Sequence, residues 1–340
     1  MHYVTTATTR LLGIQHPIML AGMGQTSGAE LVAAVSNAGG IGVIGGVNYT
    51  PKMLREMIME LKTNLRDPNL PFGVDLLIPQ VGGSARKTNI DYTKGALFEL
   101  VDIMIETGTK LFVSAVGIPP KAVVDKLHAA EYGRPSQGIV GAEAGGHTGD
   151  IPTSILIPAC ADICKQYVSP LTGLPVQLVA AGGIYDGRGV ASAMMLGASA
   201  VWIGTRFLAA RESGAPEAAK KSVIESGFDS TIRSTFWSGR PLRALATPYV
   251  LDWEKNRQPE FLELQSQGKV VMEHELDKLA HEGKLTEEIE EQSVLRPMGL
   301  VAALVTKSNQ SAGEIVDEIM GEAYEILTGA SVLVSSTPKL

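Results

Sequence analysis

Leu196-Gly197-Ala198-Ser199-Ala200-Val201-Trp202-Ile203-Gly204 is the stretch that decides the fold. It reads as a helix end, a glycine stop and a short buried strand closing on a second glycine. The phrase is echoed near the start of the chain by Ala38-Gly39-Gly40-Ile41-Gly42-Val43-Ile44-Gly45. Strands that are apolar throughout, rather than alternating, are those of parallel sheets covered on both faces. The repeating unit is therefore βα.

Working outward, Val176 to Ala180 is the preceding strand, and Gly187 to Leu196 the helix between the two. Further strands are read at Pro17 to Gly22, Ile41 to Gly45, Phe72 to Leu77, Lys110 to Val116 and Gly138 to Gly141. Helices lie between them at Glu30 to Asn37, Pro51 to Arg66, Ala96 to Glu106, Lys121 to Ala130 and Thr153 to Gln166. Right-handed crossovers turn this alternation into a parallel α/β sheet. The glycines and a histidine fall after the strands, as in a TIM (β/α) barrel. A doubly wound sheet is the competitor, but the first turn, Gly22-Met23-Gly24-Gln25-Thr26-Ser27, lacks the dinucleotide-binding spacing. Seven strands are counted where such a barrel has eight, and only Glu131 to Gln137 separates the fourth helix from the next strand. One βα unit is absent there, which predicts a gap or distortion between Lys110 to Val116 and Gly138 to Ala142.

Residues 1–211 are assigned to this barrel. Residues 212–312, punctuated by Pro241, Pro248 and Pro259, are read as a helical cap. Residues 313–340 are read as a C-terminal helix docked on the barrel, with a flexible tail. The 340 residues are 45% hydrophobic, enough for a sizeable core. The net charge of -7 is dispersed and argues against nucleic acid as a partner. No apolar run reaches the ~18 residues of a membrane span, and the N-terminus has no signal-peptide pattern. Pro338-Lys339-Leu340 resembles the peroxisomal Ser-Lys-Leu address but lacks its serine, so a cytoplasmic enzyme, monomer or homodimer, is the default. Cys160 and Cys164 read as packed thiols.

Gly182-Gly183 and Gly204-Thr205 each follow a strand and precede a helix, where backbone N–H groups face an anion. Arg206 adds charge there or forms a structural pair. His147 lies in Glu143-Ala144-Gly145-Gly146-His147-Thr148-Gly149, where glycine lets a flat ligand approach and imidazole suits proton transfer near neutral pH. His16, His128, His274 and His281 lack such a context and read as packing or surface. Glu143 is an acid, a hydrogen-bond anchor or a solvated carboxylate. Asp75 ends the third strand at the same face and can meet a cofactor hydroxyl. Gly22 and Met23 end the first strand, where an N–H can meet a ring edge, although Met23 also reads as core filler. No second histidine or carboxylate pair sits at metal-ligand spacing from His147.

Glu143 to Gly149, Ala180-Ala181-Gly182-Gly183-Ile184 and Trp202-Ile203-Gly204-Thr205-Arg206-Phe207 resemble motifs of the nitronate monooxygenases and of the related flavin enoyl-ACP reductases. The likeness runs from about Gln15 to Phe207 and continues at Ser238-Gly239-Arg240-Pro241. The resemblance implies a TIM barrel with non-covalent FMN, acting on alkyl nitronates such as propionate 3-nitronate with O2, to give a carbonyl compound and nitrite. It implies His147 as the catalytic residue, Gly182, Gly183, Gly204 and Thr205 at the phosphate, and Gly22, Met23, Asp75 and Gly145 near the flavin. The alternatives are an NAD(P)H-dependent flavin reductase of enoyl thioesters, or a catalytically impaired shortened member.

Overall fold

A computed structural model describes residues 3–79, 90–130, 136–169 and 172–333. The loop expected over Pro79 to Thr93 falls mostly outside these residues. So does that expected from Glu131, whose last two positions belong to a strand, and so does the C-terminal tripeptide.

Among the described residues seven parallel strands run in one direction: β1 (Ile18–Leu20), β2 (Gly42–Gly45), β3 (Phe72–Ile78), β4 (Leu111–Val116), β5 (Ser136–Val140), β7 (Gln177–Ala181) and β8 (Ala200–Ile203). Their order is β5-β7-β8-β1 in one sheet and β2-β3-β4 in another. A parallel bridge, Met19 to Ile41, joins β1 to β2. The close approach behind it requires glycine: a Cβ on Gly42 would lie 2.1 Å from the Val32 carbonyl oxygen. Among the described residues β4 and β5 have no strand on their outer edges, so the barrel is not closed.

The open edge shows in the burial. β3 is buried almost throughout, whereas every residue of β4 is half-buried or exposed. Beside the opening, Ile118 is 87% and Ile155 61% exposed. Val116, the last residue of β4, has a φ of 72°, a left-handed conformation strained for a β-branched side chain.

Helices cover the outer face. Thr50 caps Pro51–Asn64, whose Leu54, Ile58 and Leu61 face the core. Ser311 and Glu314 form a capping box at the start of Ala312–Gly329. That helix buries Ile315, Val316, Ile319, Met320 and Ala323 within the same core as the barrel strands. Gly187 opens the helix beneath it, and a Cβ there would lie 2.3 Å from the Ala323 nitrogen. A second apolar cluster, around Phe236, Trp237, Trp253 and Phe261, lies in the later part of the chain.

That later part is not purely helical. Besides Pro248–Lys255, Gln258–Ser266, Val271–His281 and Glu287–Ser293 it holds β9 (Thr231–Ser234) and β10 (Leu242–Leu245). These strands form an antiparallel sheet with β6 (Gly146–His147). Their four-residue length gave periodicity too little to act on. No helix among the described residues is long and apolar enough to cross a membrane.

Candidate active site

The loops after β7 and β8 are neighbours because the strands pair in register, Ala181 opposite Trp202. Gly182 and Gly183 have φ of 99° and 72°, a conformation glycine adopts without strain. Among the described residues the amide N–H groups of Gly182, Gly183, Gly204 and Thr205 find no protein acceptor. Thr205 begins a helix of only four residues, Thr205–Leu208. Its dipole is small, so any attraction for an anion here comes from the bare amides rather than from a macrodipole.

From these amides the barrel mouth continues to the ends of the neighbouring strands. A Cβ on Gly204 would lie 3.5 Å from the Met23 sulfur. Next to Met23, a Cβ on Gly22 would lie 2.5 Å from Asp75 Oδ2. Met23 does not offer its amide as expected: its N–H donates to Ser27 Oγ at 2.8 Å, and its side chain packs against the core. Asp75 does not end its strand. It is the fourth of seven residues in β3, paired with Gly45 and Val113, and its side chain is buried. Desolvation raises its pKa from 3.8 to about 7. Among the described residues its Oδ1 has no hydrogen-bond partner.

The loop between β5 and β6 is held from several sides. The Glu143 carboxylate accepts from the Thr153 N–H at 3.0 Å and from its hydroxyl at 2.6 Å, fixing the start of Thr153–Cys164. Glu143 is therefore an anchor, not a solvated group. The Met298–Leu300 segment lies against the same loop. Leu300 N–H donates to the Glu143 carbonyl at 3.0 Å, and Gly299 N–H to Thr205 Oγ1 at 3.0 Å. A Cβ on Gly145 would lie 2.6 Å from the Met298 carbonyl carbon. The space Gly145 leaves is filled by the chain itself rather than left for a flat ligand.

His147 is exposed and sits opposite Leu242 in the β6–β10 pair. Its Nδ1 lies 3.3 Å from the Pro241 carbonyl oxygen, which assigns the proton to Nδ1 and the lone pair to Nε2 in the neutral ring. Two arginines unforeseen from sequence hold its loop. Arg243 donates to the Ala142 carbonyl at 3.2 Å and Arg233 to that of Thr148 at 3.4 Å. Burial, and then the charge of Arg233, lower the Arg243 pKa, while Glu143 opposes the shift. Both arginines lie on strands of only four residues, too short for a hydrophobic period to mark them in the sequence. Nothing in the sequence marks Met298–Leu300. Arg206 is buried and donates to Gln310 Oε1 at 2.6 Å, so it ties down the C-terminal region.

A cavity of about 330 Å³ lies beside Gly182 and Gly183, lined also by Glu143, Thr153, Ile184 and Leu300. Neither Thr205 nor His147 lines it.

The nitronate monooxygenase family matches residues 5–134 and 125–322. The chain belongs to this family. It is thereby an oxidoreductase, and relatives carry the family's name: a probable nitronate monooxygenase of Staphylococcus saprophyticus is 31% identical over 290 residues, covering 73% of this chain and 80% of that one. A hydroxy-methyl-oxo-octahydroindene-carboxyl-CoA dehydrogenase of Mycobacterium tuberculosis is 33% identical over 264 residues, 72% of this chain and 67% of its own. Among solved structures, FabK from Thermotoga maritima superposes with a TM-score of 0.70 at 26% identity, covering 97% of this chain and 100% of its own.

Proposed function

We propose that the chain oxidises alkyl nitronates of the propionate 3-nitronate type with O2, using bound FMN, to a carbonyl compound and nitrite. The observation that carries this reading is the pair of bare amide nests, Gly182-Gly183 and Gly204-Thr205, on adjacent strands. They fit a phosphate, and the orphaned Asp75 Oδ1 leaves a polar contact open on the far side of the barrel. Gly182, Gly183, Gly204 and Thr205 would hold the phosphate, with Gly22 and Asp75 nearer the ring. FMN bound there would supply the electron acceptor for the nitronate.

His147 acts at Nε2. Protonated, it pairs with the anionic nitronate; neutral, it accepts the carbon-bound proton of the parent nitroalkane. Arg233, Arg243 and Glu143 fix the loop that carries it, so the imidazole is positioned before substrate arrives.

We also infer that the chain lacks one βα unit between the helix Lys121–Ala129 and β5. The family match breaks into two segments that meet at 125–134, beside the unpaired edges of β4 and β5. A second reading, flavin-linked chemistry on acyl thioesters, is favoured by the 33% identity to the CoA dehydrogenase. The test is FMN titration of the purified protein, followed by oxygen uptake with propionate 3-nitronate and NADH oxidation with an enoyl thioester. Oxygen uptake with nitrite release supports the first reading, and NADH oxidation the second. Absence of flavin binding identifies an impaired shortened member.

A further inference from the structure

We infer that Asp75 binds the flavin ring as a neutral carboxylic acid, so that cofactor affinity is set by pH at this one side chain. The inference rests on the flavin reading above and adds the protonation state and polarity of the contact. β3 lies three strands round from β8, through β1 and β2, so the phosphate nests and Asp75 stand on opposite sides of the barrel mouth. A cofactor anchored at Gly183 and Thr205 by its phosphate extends toward Asp75 with its ring.

The side chain is buried against the Gly22 turn, and Oδ1 has no donor. The elements packed against it are β1 with its turn through Met23, β2 with Gly46, and β4. None of their described residues is charged or titratable. Among the described residues an ionised carboxylate in that position has neither a counter-charge nor donors, and the neutral acid is the favoured form. Its ordinary titration is accordingly displaced to about 7.

A neutral acid offers one donor and one acceptor side by side. That is the complement of an imide edge, a carbonyl next to an N–H, such as the pyrimidine part of a flavin carries. A carboxylate offers acceptors only and meets the imide carbonyl with repulsion. Asparagine keeps the donor–acceptor pair at every pH, and leucine has neither.

The test is the FMN dissociation constant, read by flavin fluorescence quenching between about pH 6 and 8.5, for the wild type, Asp75→Asn and Asp75→Leu. Wild-type affinity is expected to be about thirtyfold weaker at the upper limit than at the lower, relative to Asp75→Asn, from a titration centred near 7. Asp75→Leu is expected to bind weakly at both limits. Wild-type and Asp75→Asn profiles that run parallel overturn the inference while leaving the flavin site intact. A wild type that binds no FMN at any pH overturns the flavin reading itself. A carbon-13 carboxyl titration of the flavin-free protein gives a readout independent of the cofactor. A midpoint near 7 for Asp75 supports the neutral acid, and one near 4 overturns it.

Discussion

At the residue scale, His147 and Glu143 are close in sequence and differ in what surrounds them. His147 is exposed and its Nδ1 is turned to a backbone carbonyl, so the proton transfer proposed for it is assigned to Nε2. Replacing it with asparagine is expected to lower the turnover number for nitronate oxidation about a hundredfold or more, the usual weight of a general acid or base. FMN affinity should stay within about twofold, because no phosphate contact is touched. Oxygen-electrode kinetics beside a flavin titration read both, and an unchanged turnover number removes His147 from the reaction. Glu143 accepts twice from Thr153. Glu143→Ala strands both donors and is expected to cost about 2 kcal/mol, with Glu143→Gln costing less, as measured by urea unfolding.

Among the elements, the C-terminal helix Ala312–Gly329 depends on one glycine. Gly187→Ala places a methyl group 2.3 Å from the Ala323 backbone nitrogen, where no flexible side chain can yield. Loss of about 2–3 kcal/mol is expected. Gly321→Ala on the same helix has open space around its Cβ and is expected to be neutral or stabilising. Thermal melts of the two variants separate docking of the helix from its propensity. β4 ends on the strained Val116. Val116→Gly is expected to lose little stability or gain about 1 kcal/mol, unlike an ordinary strand valine. A large loss would show that the side chain matters more than the backbone strain.

The whole molecule carries a pH signature through Asp75. Its pKa is raised on folding, from 3.8 to about 7. The folded state therefore binds the proton more tightly than the unfolded chain. The associated stability is fully present below about pH 4 and is lost as pH rises through about 7, by up to about 4 kcal/mol. Other groups titrate over the same range, so the quantity to read is wild type minus Asp75→Asn in urea unfolding at about pH 5 and pH 8. A difference that does not change with pH removes the claim. The open barrel has its own expected consequence: exposed apolar side chains such as Ile118 and Ile155 favour association at high concentration. Ile155→Lys is expected to reduce light scattering on concentration without changing the FMN dissociation constant.

The sequence by itself determined the βα repeat, the places of the parallel strands among the described residues and the glycine turns after β7 and β8. Those features are written in local runs: apolar stretches of strand length and glycine stops. Tertiary structure alone decided what each turn faces. Gly145 meets Met298 rather than open space, Met23 turns its amide to Ser27, and Glu143 becomes an anchor because Thr153 arrives beside it. The β6–β10 pairing joins residues nearly a hundred positions apart, and Asp75 owes its raised pKa to neighbours on other strands. Burial and desolvation are properties of assembled surroundings, and no stretch of chain read alone contains them.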